Sequence, residues 1–139
     1  MHTQLVKFDS RYRPNIINIR TTVFVDEQGI DSRIDFDGLD EVATHVLVFF
    51  QDEEAIATGR MLDDGHIGRI AVLKEHRKHG VGAKVLQALL ENAQVKGFSR
   101  VYLGSQIHAT GFYKKLGFTI CGEVFMDAGL EHIEMERYF

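Results

Sequence analysis

Cysteine and proline are nearly missing from this 139-residue sequence, each occurring once. A lone Cys121 has no internal partner, so the fold cannot rest on a disulfide and does not depend on an oxidising compartment. Cys121 follows Gly117 and Phe118 in an apolar run, where a small thiol is expected to pack as a buried structural residue rather than act as a nucleophile. Long apolar runs are missing too. The densest, Val46 to Phe50, is far too short to cross a bilayer. Met1 to Pro14 has no apolar core of signal-peptide length. The expected location is therefore cytoplasmic, with no membrane partner. A basic excess is absent as well: the formal net charge is -4, whereas a dedicated nucleic-acid binder would carry a basic face. The histidines show no convincing metal spacing with cysteine or carboxylate, so no metal site is expected.

What is present suits one globular domain spanning 1–139. Hydrophobic residues make up 45% of the chain, enough for a core at this length without staples. His2 to Phe8 alternates weakly and predicts an edge strand. Pro14 suits the first turn of a helix, which Ile16, Ile17, Ile19, Val23 and Phe24 continue at roughly helical spacing. Asp26 to Asp40 reads as a short helix and loop. Val42 to Phe50 and Ala55 to Leu62 predict strands around a polar turn at 51–54, with Gly59 marking a bulge or a close approach. Asp63, Asp64 and Gly65 make a hairpin turn. Ile67 to Leu73 then reads as a central strand, apolar on both faces.

A basic loop from Glu75 to Gly82 leads into an amphipathic helix (Val81, Val85, Leu86, Leu89, Leu90, Ala93) that ends at Lys96 and Gly97. Beyond it come a short strand over Val101 to Leu103, a helix over Ala109 to Leu116, and closing strands over Phe118 to Met126 and Leu130 to Tyr138. Strand hairpins before the long helix and one strand-helix-strand crossover give an α/β (α+β) fold. Its mixed, mostly antiparallel sheet has about six or seven strands, with about four helices.

The most informative segment is Arg77-Lys78-His79-Gly80-Val81-Gly82-Ala83, between a strand and a helix. Gly80 and Gly82 remove side chains where a ligand approaches the backbone. The first helical turn offers unpaired N–H groups and the positive end of a dipole. Arg77, Lys78 and His79 add positive charge. Together these suit a phosphate or pyrophosphate; a plain turn with basic decoration is the alternative. Gly82 is followed by Ala83 and Lys84, which excludes a Walker A loop, and Val85 stands where a dinucleotide fingerprint needs its third glycine.

At this loop the chain resembles the Gcn5-related N-acetyltransferases (GNAT). Arg77-x-x-Gly80-x-Gly82-Ala83 is similar to that family's Q/R-x-x-G-x-G/A signature, and Arg69-Ile70-Ala71-Val72 resembles its fourth strand. Gln106-x-x-Ala109-x-x-Phe112-Tyr113-x-x-Leu116-Gly117-Phe118 resembles its C-terminal motif, with Gln106 where the family usually has asparagine. Val23 to Gln28, Asp37-Gly38 and Asp127 to His132 resemble a small bacterial subgroup.

The resemblance implies a bulged strand splayed from its neighbour in mid-sheet. It implies acetyl-CoA as acyl donor and an amine as acceptor. The pyrophosphate would lie on main-chain amides from Arg77 to Gly82. Pantetheine would run along Ile70, Ala71 and Val72, with further cofactor contacts from Gln106, Ala109, Phe112 and Tyr113. The Val72 amide would face the oxyanion, and a homodimer is possible.

Tyr113 is the candidate general acid, or else an aromatic packing residue as Phe112 is. His132 is the candidate base or substrate anchor, steadied by a nearby carboxylate, or else a solvent-facing histidine. His45 is expected to be a satisfied core histidine. The acidic run Asp31 to Glu41 reads as an acceptor lining or, preferably, a solvated loop, and Glu27 is a further candidate base acting through water. The expected activity is direct acetyl transfer in a ternary complex; a non-catalytic acyl-CoA sensor on the same fold is the alternative.

Overall fold

The computed structural model describes residues 1–51 and 53–139. Asp52, within the turn expected over 51–54, lies outside them. The chain opens with strand β1 (His2–Val6) and helix α1 (Arg13–Arg20), with Pro14 in the helix's first turn as expected. The helix does not simply end there. It widens into a π-helical turn over Thr21–Glu27, where the Gln28 amide reaches back five residues to the Val23 carbonyl at 3.2 Å. Four of its first five residues, Thr21, Thr22, Val23 and Val25, are β-branched and crowd a helical turn. The Thr22 hydroxyl also donates to the Asn18 carbonyl at 2.8 Å, a back-bond that loosens regular helix. Helix α2 (Ser32–Asp35) follows, with the Asp31 side chain accepting from the Arg33 amide at its start.

Strands β2 (Thr44–Phe50), β3 (Glu54–Met61) and β4 (Ile67–Val72) come next, then helix α3 (Val81–Val95), β5 (Arg100–Gln106), α4 (Thr110–Lys115), β6 (Thr119–Asp127) and β7 (Leu130–Tyr138). The strands form two antiparallel sheets, ordered β1-β2-β3-β4 and β5-β7-β6, which among the described residues meet through one parallel bridge, between His66 and Tyr102. Val46 and Val48 of β2 pack with Val85, Leu86 and Leu89 on one face, while Leu47 and Phe49 pack with Ile16, Ile19 and Val23 on the other. That two-sided burial explains the unbroken apolar run of β2.

β4, apolar like a central strand, is bulged and splayed as the family resemblance implied. It is hydrogen-bonded to β3 alone and diverges from β5. Thr58 pairs with Ala71 but Arg60 pairs with Gly68, so β4 holds one residue more than β3 over this stretch. The excess is taken up at Arg69, whose φ is 53°, and such a bulge bends the strand out of register with its next neighbour. Opposite the bulge, a Cβ on Gly59 would lie 2.5 Å from Val85 Cγ1, so the glycine sets how closely α3 seats on the sheet. Gly59→Ala is expected to destabilise the fold by about 1–3 kcal/mol through overpacking. Denaturant unfolding checks this, and an unchanged midpoint would contradict it.

Cys121 is exposed, not buried. It lies on β6, the outer strand of the second sheet, most of whose residues face solvent. Its apolar neighbours therefore reflect an uncovered edge rather than a core. Desolvation and the carboxylates of Glu134 and Glu136 push its thiol above the ordinary value. Among the described residues no helix is long and apolar enough to cross a membrane.

Candidate active site

The chain between β4 and α3 runs through a short turn at Lys74–His76 and then takes two left-handed steps, Lys78 (φ 66°) and Gly80 (φ 75°). Nothing lies within 4 Å of a Cβ built on Gly80, so this glycine is required by its backbone conformation and not by crowding. α3 begins at Val81 with no side-chain cap, and the amide of Lys84 makes the first bond, to the Gly80 carbonyl at 3.2 Å. The amides of residues 81–83 are left facing out of the helix end. Lys78 and His79 are exposed beside them and form no ion pair among the described residues. Left-handed steps followed by free amides make a concavity suited to an anion.

Arg77 does not supply charge there. Its two terminal nitrogens donate to the Glu27 carboxylate at 2.6 Å each, and its Nε donates to the Val72 carbonyl at 2.9 Å. The same pair engages both Glu27 carboxylate oxygens, and the hydrogen bonds from Arg77 hold its carboxyl below the usual range, which makes it a weaker base. Both residues clamp the π-helical turn onto the loop. Gly82 differs from Gly80 in having ordinary φ. A Cβ on it would lie 3.5 Å from Phe112 Cζ and 3.9 Å from Val72 Cγ2, so Phe112 and Val72 flank it.

Where β4 and β5 part, a cavity of about 340 Å³ opens. Its lining includes Ile70 of β4, Gln106 at the end of β5, Ala109 and Tyr113 of the following helical segment, and His132 of β7. These five were singled out in the sequence far apart, and the splayed sheet gathers them. The Lys78–Ala83 loop stands outside this lining, at the start of α3.

Tyr113 packs edge-on against Phe112 and Phe118, with ring centroids 5.0 and 6.0 Å away. Burial pushes its phenol up to about 12. It therefore stays protonated at any ordinary pH and is equipped to act as an acid. His132 is stacked on Phe125, and its Nδ1 lies 2.9 Å from the Leu130 carbonyl. The expected carboxylate partner is thus replaced by a main-chain oxygen, reached because Leu130 sits at the β6–β7 turn. In the neutral tautomer whose Nδ1–H donates to that oxygen, the lone pair is on Nε2. Gln106 Nε2 is 3.4 Å from Gln28 Oε1.

The acidic run divides: Asp31, Asp37 and Glu41 are exposed, as in a solvated loop, whereas two of its aspartates are not. Asp35 and Asp40 are 3% and 5% exposed. Arg20 bonds to Asp35 at 3.1 Å and Asp40 at 2.6 Å, Arg60 to Asp40 at 2.9 Å and Asp37 at 2.5 Å, and Arg69 to Asp35 at 3.2 Å and Asp37 at 3.3 Å. Three arginines thus balance three aspartates, which is how such charges tolerate burial. The hydrogen bonds from Arg60 hold the Asp37 carboxyl well below its usual range, whereas burial outweighs Arg20 and Arg69 at Asp35 and raises it. His45, buried as expected, bonds through Nε2 to the Asp40 carbonyl at 2.8 Å.

Arg69 also donates to the Asp35 and Ile34 carbonyls, at 3.1 and 3.2 Å. The bulge residue therefore holds the α2 segment against the cavity. Sequence reasoning missed this, along with Phe24, Ile30, Ile34 and Phe125 as cavity walls. The one available signal was an arginine inside an otherwise apolar strand.

Residues 18–139 match the family model of the acetyltransferase (GNAT) domain. The chain is 37% identical over 123 residues to "Uncharacterized N-acetyltransferase YjcF" of Bacillus subtilis, covering 86% of this chain and 87% of that one. The crystal structure of Escherichia coli ElaA superposes with a TM-score of 0.89 at 29% identity, covering 99% of each chain. That of an acyl-CoA N-acyltransferase from Pseudomonas aeruginosa gives 0.88 at 27%, again covering 99% of each. A splayed sheet, an uncapped helix end in the signature loop and relatives matched along nearly the whole chain agree: this protein belongs to the GNAT acetyltransferase family and has its acyl-CoA N-acyltransferase fold.

Proposed function

We propose that the protein transfers an acetyl group from acetyl-CoA to a primary amine by direct attack in a ternary complex. The observation that carries this reading is that Gly82, in the uncapped first turn of α3, is flanked by Phe112, next in the chain to Tyr113, which shares one cavity with His132. The amides of residues 81–83, with Lys78 and His79 nearby, hold the pyrophosphate of the donor. Pantetheine follows β4 at Ile70, Ala71 and Val72 into the gap beside β5.

An alkylammonium has a pKa of about 10, so it must lose a proton before its nitrogen can attack. His132 Nε2 accepts that proton or anchors the amine. The nitrogen then bonds to the thioester carbonyl carbon, and the resulting oxyanion is met by the Val72 amide. Collapse breaks the carbon–sulfur bond, Tyr113 gives its proton to the departing thiolate, and the extra proton on the acylated nitrogen passes to the Tyr113 phenolate, leaving neutral amide and free CoA thiol. Cys121 does not line the cavity and its thiol is pushed up, which favours direct attack over an acetyl-cysteine intermediate. Free-thiol release from acetyl-CoA, with and without a panel of amines, tests the reading. Amine-dependent release is expected. Saturable acetyl-CoA binding with no release for any amine would favour a sensor instead.

A further inference from the structure

The walls of the cavity restrict what kind of amine it takes. Phe24, Ile30 and Ile34 reach it from the N-terminal helical segments, and Phe125 and His132 from the second sheet. Ile34 and Phe125 are 48% and 41% exposed, so apolar surface is left uncovered on two separate elements that border one cavity. The charges in its lining offer little to an anion, because its arginine is already paired with carboxylates. Arg69, the arginine that lines it, is matched within the three-to-three network with Asp35, Asp37 and Asp40. Its Nε and Nη2 donors are engaged by the Asp35 and Ile34 carbonyls and by Asp37. Burial holds the His66 ring below its usual value, toward the neutral form. Asp127, also in the lining, has no ion-pair partner among the described residues. A carboxylate or phosphate entering here would lose water and meet only a cation already paired with Asp35 and Asp37, a poor exchange for its hydration. An ammonium on an aromatic or branched apolar body would cover Phe24, Ile34 and Phe125 and find the unpaired carboxylate of Asp127 in the same lining.

We infer that the acceptor is a hydrophobic primary amine of the arylalkylamine type, lacking any carboxylate or phosphate, seated between Phe24 and Ile34 on one element and Phe125 on the other. This rests on the transferase reading above and narrows its acceptor. A matched pair isolates the claim: 2-phenylethylamine and phenylalanine share a body and differ by one carboxylate, with glucosamine 6-phosphate as a polar anionic control. The expected kcat/KM for 2-phenylethylamine exceeds that of phenylalanine on the order of 100-fold. Ile34→Lys, which sets a cation on an exposed wall, should reduce that ratio at least about 10-fold without changing acetyl-CoA affinity. Equal or better use of phenylalanine or of the sugar phosphate would overturn the inference, as would an unchanged ratio in Ile34→Lys. Titration of each amine into the protein saturated with CoA separates this claim from the transferase reading. Preferential binding of 2-phenylethylamine without turnover of any amine would sink the transferase reading and keep the acceptor class. Absence of both binding and turnover would sink the acceptor class as well.

Discussion

Gly82→Val is expected to lower acetyl-CoA affinity by at least about 100-fold while the protein stays folded. The first methyl at this position meets only ordinary contacts, 3.5 Å to Phe112 Cζ and 3.9 Å to Val72 Cγ2, and the backbone φ is not left-handed. The protein's own packing therefore does not require a glycine. The branched atoms of valine would instead extend between Phe112 and Val72, over the amides that the cofactor needs. Gly82→Ala sharpens the test, because the two consequences take opposite signs. Alanine is a better helix former than glycine by about 1 kcal/mol, so this variant should unfold at higher denaturant while binding acetyl-CoA more weakly. Calorimetric titration and denaturant melts together read both. Wild-type affinity in a folded Gly82→Val protein would remove the loop from the cofactor site.

Tyr113→Phe is expected to lower kcat by about 100-fold or more, the usual scale for loss of a positioned general acid. The acetyl-CoA dissociation constant should change less than about 2-fold, since the ring still packs on Phe112 and Phe118 and no bond from the hydroxyl to the described residues is lost. The pH profile adds a second handle. Burial raises the phenol to about 12, and a raised acid stays protonated until the pH approaches that value. Wild-type rate should thus climb with pH as the amine and its base deprotonate, with no alkaline fall due to Tyr113 over the accessible range. An unchanged kcat in Tyr113→Phe would reduce this residue to aromatic packing.

The parts of the fold legible in the sequence were those governed by local rules. α3 announced itself by its apolar stripe and began at Val81 as its glycines indicated. The β6–β7 hairpin followed from Asp127, Ala128 and Gly129, with Ala128 at φ 50° and Gly129 at φ 78°. The loop's amides were readable for the same reason. What escaped depended on partners distant in the chain. Arg77 looked like a phosphate ligand until Glu27, fifty residues away, took both its terminal nitrogens. Asp35 and Asp40 looked like solvated acids because composition does not reveal that Arg20, Arg60 and Arg69 converge on them. The splay of β4 was expected from family likeness alone, since a bulge at Arg69 has no local sequence signature beyond a charge in an apolar strand. Cys121 was misplaced because an apolar run reads the same on an uncovered edge strand as in a core.

The claim on which the mechanism depends is that main-chain amides opening α3 grip a diphosphate. Parallel titrations of acetyl-CoA and S-acetylpantetheine, which lacks the diphosphate and nucleotide, into the folded protein address it most directly. Saturable binding of acetyl-CoA, with the pantetheine ester weaker by about 100-fold or more, is the predicted result. Comparable affinities for the two, or no saturation with acetyl-CoA, would contradict it.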